Sequence, residues 1–403
     1  MSAVSFTPAL RAQQVRTALL PLMVAVFLAF LIIGAPLPVL PLHVHQGLGF
    51  GTFVVGLVAG AQFAAALLSR LWSGQFADNR GAKPAVLVGL FAAAAAGLLY
   101  LLSLHFVGMP LVSVAVLLLG RAVLGAAESF IITGATIWGL ARVGSHHAGQ
   151  VIAWMGTAMF AGFAAGAPLG TALFERDGFR AVALLTTIAS LITMIMIAPL
   201  RGTDAVPRRG PGFLSVVRTI WLPGFGAALS SVGFGAIAAF GSLLFARHHW
   251  TPVWLPFSAY AVALIGSRLM FGDLPDRIGG ARVALGFVLV EIIGLAAMGF
   301  AAAGWIAALG AALTGFGYAL VFPALGVEAV RRAPPERRGV AMGAYTACLD
   351  LALGVSGPLL GLIAGSSGID AVFLTSMAVV LGTVPIALLI LRARRTVNAG
   401  GIV

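Results

Sequence analysis

Long apolar runs follow one another from Thr17 to Leu391, and they constrain the fold of this chain more than any other feature. Each run has roughly 20 residues, enough for a helix to cross a hydrocarbon layer about 30 Å thick. Runs so long and so evenly apolar satisfy their backbone groups only as helices. Only 9% of the residues are charged, too few to cover the surface of a soluble protein. The sequence therefore predicts an all-α membrane protein in contact with a lipid bilayer.

The boundaries of these runs predict twelve transmembrane helices. They lie at residues 17–42, 51–73, 84–104, 110–140, 149–173, 179–200, 219–245, 252–271, 282–303, 305–330, 339–365 and 370–391. The one long polar connection, rich in Pro, Gly and Arg, follows the sixth run. We therefore expect an N-terminal six-helix half over 1–200, a cytoplasmic linker over 201–218 and a C-terminal six-helix half over 219–403.

Positive charges collect in the loops on one predicted face of the membrane. Twenty Arg and Lys residues fall on that face, against Arg176, Arg180 and Arg247 on the other. The face with twenty is expected to be cytoplasmic, together with both termini. The net charge of +12 is thus a topology signal and does not indicate a nucleic-acid-binding surface. The first run is too long for a signal peptide and lacks a cleavage site, so we interpret it as a span.

A polar segment occurs twice, once after the second predicted span and once after the eighth. Residues 69–71, 74, 78 and 81 recur as the same amino acids at 267–269, 272, 276 and 279. Six identities at one offset of 198 residues indicate two homologous halves. The halves are also alike further along the chain, where 166–170 (GAPLG) parallels 357–361 (GPLLG).

Twelve spans in two sets of six, with a G-x-x-x-D-x-x-G-x-K loop after the second, resemble the major facilitator superfamily. The stretches 36–41, 120–125, 320–326 and 349–354 look like the YhhS/YfcJ-type group of bacterial proteins within it. The resemblance implies two pseudo-symmetric six-helix halves, a bacterial cytoplasmic (inner) membrane location and a functional monomer. It also implies transport, and members of the group are described as efflux transporters with uncertain substrates.

The repeated loop implies a conformational latch. In the family its Asp caps a neighbouring helix and pairs with an Arg, while its glycines allow tight turns. The corresponding residues here are Gly74, Asp78, Arg80, Gly81, Lys83, Gly272, Asp276, Arg277, Gly279 and Arg282. Candidate partners of the two acids are Arg142 and Arg331 or Arg332. A cluster of charges that only fixes topology is the alternative interpretation.

Charged residues inside the spans are candidates for proton coupling or substrate binding. Arg121 and Glu128 lie seven residues apart, so they share one face of the fourth predicted helix. A lone charge in hydrocarbon is costly, so each is expected to face a cavity or a partner. Arg121 with Gly125 resembles the R-x-x-x-G motif of the superfamily, whose arginine is often linked to proton coupling. A static ion pair between Arg121 and Glu128 is the alternative.

Two further acids fall within predicted spans. Asp350 lies in the eleventh and Glu291 in the ninth. Both are candidate proton or substrate sites, and the alternative for Asp350 is hydrogen bonding between helices.

A small-residue motif in the fifth span resembles one that is typical of proton-linked exporters. Together with its counterpart in the eleventh span it comprises Gly162, Gly166, Pro168, Gly170, Gly357, Pro358 and Gly361. The usual Gly-Pro is Ala167-Pro168 here, a mild departure. Ordinary helix packing on small residues is the alternative.

These features favour a secondary transporter that exports a small molecule in exchange for protons. A symporter or facilitator importing a sugar or small organic solute is the first alternative, and a non-transporting membrane sensor or scaffold is the second. The sequence has no nucleotide-binding P-loop, catalytic triad or metal-ligand cluster, so we expect no enzyme activity, metal or cofactor. The expected partners are protons, a small-molecule substrate and lipid, and no nucleic acid.

Overall fold

A computed structural model describes residues 12–144, 147–202, 213–333 and 338–399 of the chain. Every regular element in these ranges is helical, which confirms the all-α prediction. The N-terminal helices are α1 (Ala12–Gly34), α2 (Pro36–Leu42) with a π-helical turn (His43–Gly47), α3 (Thr52–Arg80), α4 (Ala82–His105), α5 (Pro110–Val143), α6 (Ala148–Asp177) and α7 (Phe179–Ile197). The C-terminal helices are α8 (Phe213–Arg247), α9 (Leu255–Phe271), α10 (Leu274–Ile278), α11 (Gly280–Gly299), α12 (Gly304–Arg332), α13 (Arg338–Ser367), α14 (Ile369–Leu381) and α15 (Thr383–Ala399).

Eleven helical segments in the described part of the chain are long and apolar enough to cross a membrane. The eighth predicted span corresponds to α9, an apolar helix of 17 residues that begins at Leu255. The first span is built from α1, α2 and the π-helical turn, and the last from α14 and α15. The predicted linker is too long, because α8 begins at Phe213, while residues 203–212 lie outside the described residues.

The repeated loops differ in structure between the two halves. Helix α3 continues through its copy to Arg80, whereas α9 ends at Phe271 and the short α10 follows. The difference is explained by Pro275, which stands where the first copy has Ala77 and cannot extend a helix. The prediction that Gly74 forms a turn is therefore wrong, because it lies inside α3.

Tight turns do occur at the final glycine of each copy. Gly81 has φ 97° and Gly279 has φ 95°, values that L residues with a side chain rarely adopt. Both glycines lie at the end of the bundle that also carries the α5–α6 connection at Gly144. We call it the basic end, since most loop arginines are found there, and the other the opposite end.

The most extensive contacts between the two halves are those of α3 with α13, α6 with α9, and α2 with α8. The contact between α3 and α13 is the closest, because glycines remove the side chains between the backbones. A Cβ atom on Gly357 would collide with the carbonyl oxygen of Gly56, and one on Gly361 with that of Thr52. The Thr52 hydroxyl also donates to the Gly361 carbonyl oxygen at 2.7 Å.

The two small-residue motifs, predicted to be parallel, have different neighbours. Gly162, Gly166 and Gly170 of α6 pack against the backbone of α1, inside the N-terminal half. Gly357 and Gly361 of α13 pack instead against α3 of the other half. Only the C-terminal motif therefore controls how closely the two halves approach.

We predict that Gly357→Ala lowers the melting temperature of the purified protein in detergent. The added methyl group meets backbone atoms of Gly56, which cannot move aside as a flexible side chain would, and overpacking of this kind costs about 1–3 kcal/mol. Gly343→Ala on the same helix is the matched control, because nothing lies within 4 Å of its Cβ position. Equal melting temperatures for the two variants would contradict the prediction.

Candidate functional site

An ion pair joins the two halves inside the bundle. Arg70 of α3 donates through Nε to Oδ2 of Asp350 on α13 at 2.7 Å, and its Nη2 lies 2.5 Å from the same oxygen. The side chain of Asp350 is 5% exposed and that of Arg70 is 23% exposed. This ion pair connects the N-terminal half with the C-terminal half. Asp350 was a predicted site residue, and the structure adds Arg70 as its partner.

Glu128 is held by an amide rather than by Arg121. Its Oε2 accepts a hydrogen bond of 2.6 Å from Nε2 of Gln62 on α3. The described residues contain no ion pair between Glu128 and Arg121, so the static pair considered from the sequence does not form. The Glu128 carboxyl group still lies within electrostatic range of Arg70, Asp350 and Arg121. These side chains form a polar row on α3, α5 and α13.

Arg121 occupies the far end of this row, toward the opposite end of the bundle. It is fully buried, and Nε, Nη1 and Nη2 have no hydrogen-bond partner in the described part of the chain. The Tyr100 hydroxyl is the polar neighbour of Arg121 and interacts with it, although the pair does not meet the distance and angle of a regular hydrogen bond. Arg121 lines a small cavity between α2, α3 and Ala238 of α8, so the cavity touches both halves.

Glu291 is fully buried inside the C-terminal half. Its Oε2 accepts a hydrogen bond of 2.6 Å from Ser230 on α8, while Oε1 has no partner among the described residues. Ser231, the next residue, lies 3.2 Å from the Tyr318 hydroxyl. Glu291 is thus part of a second polar cluster, formed by residues of α8, α11 and α12.

Aromatic side chains fill the middle of the interface between the halves. The ring of Phe234 on α8 lies 6.1 Å from Phe63 and 6.4 Å from Phe163, both in the N-terminal half. Within its own half it contacts Tyr260 at 5.5 Å and Tyr318 at 6.5 Å. These rings form an apolar layer between the halves.

Among the described residues, no ion pair is found at the second side-by-side crossing of the halves, α6 with α9. Arg268 is the repeat counterpart of Arg70, and its guanidinium carbon lies 5.0 Å from the ring centroid of Phe160. Phe160 precedes Pro168 by eight residues, as Asp350 precedes Pro358. The two repeat-equivalent arginines therefore have different neighbours: Arg70 meets a carboxylate at the α3–α13 crossing, and Arg268 meets an aromatic ring at the α6–α9 crossing.

The predicted latch residues are distributed over the basic end. Lys83 Nζ donates to the Ala198 carbonyl oxygen at 2.6 Å, which ties α4 to the end of α7. Arg277 lies 3.3 Å from Asp273. Asp78 is partly buried, whereas exposed side chains are found at Arg80, Asp276, Arg277 and Arg282. The structure does not test a latch role for any of them.

Two further contacts concern the basic end. Arg142, a candidate latch partner, donates to the Ala18 carbonyl oxygen at 3.4 Å and lies 5.2 Å from the Trp138 ring centroid. Buried Glu328 of α12 accepts a hydrogen bond of 3.3 Å from the Ala281 backbone N–H in the first turn of α11. Sequence reasoning missed Glu328, although an acid near the end of an apolar run was the available signal.

Comparison with known proteins identifies the family. The model for the Major Facilitator Superfamily matches residues 22–257 and 254–401. The chain is 42% identical over 385 residues to the uncharacterized MFS-type transporter STM4428 of Salmonella typhimurium (strain LT2), covering 96% of this chain and 99% of that protein. It is 39% identical over 383 residues to the uncharacterized MFS-type transporter YhhS of Escherichia coli (strain K12), covering 95% and 94%.

Solved structures agree with this result. A bacterial homolog of the human lysosomal transporter Spinster, in an inward-facing and occupied conformation, superimposes with a TM-score of 0.76 at 14% identity, covering 93% of this chain and 96% of that one. This chain belongs to the Major Facilitator Superfamily. It is a multi-pass membrane protein of a family of transporters rather than enzymes, which confirms the fold class, the YhhS-type resemblance and the transporter class.

We predict that the Arg70–Asp350 pair shows positive coupling in a double-mutant cycle. Asp350→Asn and Arg70→Gln should each lower the melting temperature in detergent, because each leaves a charge without its partner. The cost stays below the about 3–5 kcal/mol of fully buried pairs, since Arg70 is 23% exposed and can be hydrated. The double variant should recover part of the loss, and strictly additive losses would show that the pair contributes nothing.

Proposed function

We propose that this protein exports a small molecule across the bacterial cytoplasmic membrane in exchange for protons, with the basic end and both termini in the cytoplasm. The observation that carries this proposal is the Arg70–Asp350 pair, which connects the two halves within the bundle. Alternating access requires the halves to rock against each other, so contacts between them form and break during transport. Because the Arg70–Asp350 contact depends on the charge of one carboxylate, protonation of that carboxylate weakens the contact.

The proposed coupling follows from the charge on Asp350. Protonation neutralises the carboxylate, which removes the attraction to Arg70 and favours separation of α3 from α13 at that depth. Arg70 is 23% exposed, so its charge can be hydrated when the pair opens, whereas Asp350 is almost enclosed while the pair is closed. Each proton that enters carries about 2.3 kcal/mol per 100 mV of membrane potential.

The latch residues of the basic end and the small-residue motifs contribute to this proposal in different ways. The latch around Asp78 and Asp276 is expected to stabilise one arrangement of the halves at the basic end. The motif at Gly357, Pro358 and Gly361 sets the closest approach of α3 and α13, so it determines the surface along which they move. The fifth-span motif at Gly162, Gly166, Pro168 and Gly170 resembles that of proton-linked exporters, and this resemblance is what favours export over import.

We predict that addition of a transported substrate to inverted membrane vesicles with an acidified interior raises the internal pH. Substrate entering the vesicle is exchanged for protons leaving it, and an internal pH-sensitive dye reports the change. Asp350→Asn should abolish the proton movement, because its side chain cannot be ionised. Asp370→Asn is the matched control, since Asp370 pairs with His248 at 2.9 Å at the opposite end, within one half.

The same experiment separates the alternatives. Substrate uptake without proton movement would support a facilitator, and proton movement in the same direction as the substrate would support a symporter. Either result would refute proton-coupled export. A response that is lost in Glu291→Gln but retained in Asp350→Asn would move the proton site to the C-terminal cluster.

A further inference from the structure

We propose that Arg121 binds the carboxylate of a small monoanionic organic acid, and that this anion is the cargo. The inference rests on the proposed transport function, because it names the chemical class of what is carried. It comes from the juxtaposition of a fully buried, unpaired guanidinium with an apolar cavity that lies between the two halves.

Arg121 has no ion-pair partner and no regular hydrogen bond among the described residues. A guanidinium remains charged and offers five donors, yet none of its three nitrogens has an acceptor in the described part of the chain. A buried charge without a partner is costly in protein and more so in hydrocarbon. A charged group retained at this cost inside a membrane protein is by default part of a functional site.

The neighbouring acids do not supply the partner. Glu128 follows on the same helix but accepts from Gln62 at 2.6 Å. Asp350 is paired with Arg70 through Oδ2. Glu291 lies in the polar cluster of the C-terminal half with Ser230. Among the described residues no carboxylate therefore pairs with Arg121, and the carboxylate of a ligand can take that place.

The walls of the cavity indicate the rest of the ligand. Its lining includes Leu37 and Leu40 of α2, Val55 and Val58 of α3, and Ala238 of α8, with Arg121 as the only charged group. One positive charge balances one negative charge, so a monoanion fits better than a dianion, which would bring a second buried charge. A planar carboxylate also matches the bidentate geometry of a guanidinium. The expected ligand has one carboxylate on a short apolar body.

The position of the cavity connects binding to transport. Ala238 belongs to the C-terminal half and the other lining residues to the N-terminal half. The cavity is small in this arrangement, so entry of an organic acid requires α2 and α8 to separate. A ligand bound there would contact both halves and would sense their relative position.

The test measures ligand binding by thermal unfolding of the purified protein in detergent, without any gradient. The probes are acetate, butyrate, benzoate and phenylacetate, each beside its neutral amide. We expect at least one acid to raise the melting temperature by on the order of 2–4 °C. Its amide should bind at least about tenfold more weakly and therefore have little effect on the melting temperature. If no acid stabilises the protein more than its amide does, the proposal is wrong.

Variants of Arg121 provide a readout that does not depend on the identity of the ligand. Arg121→Met removes an unpaired buried charge, so it should raise the melting temperature of the ligand-free protein and abolish the response to the acids. A purely structural arginine would give a lower melting temperature instead. Arg180→Met, at an exposed position of the opposite end, is the control that should retain the response. Retention of the response in Arg121→Met would overturn the assignment.

A second variant covers the case in which Arg121→Met does not yield folded protein. Arg121→Lys keeps the charge but loses the bidentate fork, so it should retain a weaker response to the same acids. An undiminished response would exclude direct recognition by the guanidinium. Binding of an acid without proton movement in vesicles would refute the proposed proton coupling but support the Arg121 site. Proton movement with other substrates, without acid binding, would support the coupling and refute the Arg121 site.

Discussion

The cost of placing a charge where there is little water explains most of the polar architecture of this protein. In hydrocarbon each backbone group is satisfied within a helix, and each charged side chain requires a partner or a cavity. Asp350 meets this requirement through Arg70, Glu128 through Gln62, and Glu291 through Ser230. The same requirement makes each of these groups sensitive to a change in its partner. Protonation of a carboxyl group, or binding of a ligand, changes such a partner.

Small residues determine where the halves are able to touch. Backbone contact between α3 and α13 brings Gly56 against Gly357, and it places Arg70 within reach of Asp350 on the same pair of helices. Van der Waals packing between backbones gives close association without requiring a hydrophobic driving force, which is absent between helices in lipid. The ion pair is therefore positioned by the glycines, and its geometry follows from their lack of side chains.

Much of this architecture was predictable from the sequence, and the limits have physical reasons. The apolar runs predicted the spans, because hydropathy is a property of the local sequence, and the identities at an offset of 198 residues predicted two halves. Arg70 is one of the twenty basic residues that the sequence analysis assigns to loops of the cytoplasmic face, although it lies within the predicted span 51–73, where a charge needs a partner. Its pairing with Asp350, 280 residues away, depends on which helix faces meet, and one sequence does not contain that information. The continuation of α3 through Gly74 was missed because glycine permits a turn without requiring one.

The departure from symmetry between the halves is as informative as the symmetry itself. Arg70 and Arg268 are equivalent in the repeat, yet one meets a carboxylate and the other the ring of Phe160. A proton can alter the first contact, because Asp350 carries a carboxylate, and leaves the second unchanged, because a phenyl ring has nothing to protonate. The α3–α13 crossing therefore contains a contact that protonation can weaken, whereas the Arg268–Phe160 contact at the α6–α9 crossing is not of this kind. In the proposed transport cycle, this asymmetry makes the α3–α13 crossing the contact that protonation switches, while α6–α9 moves without responding to protons.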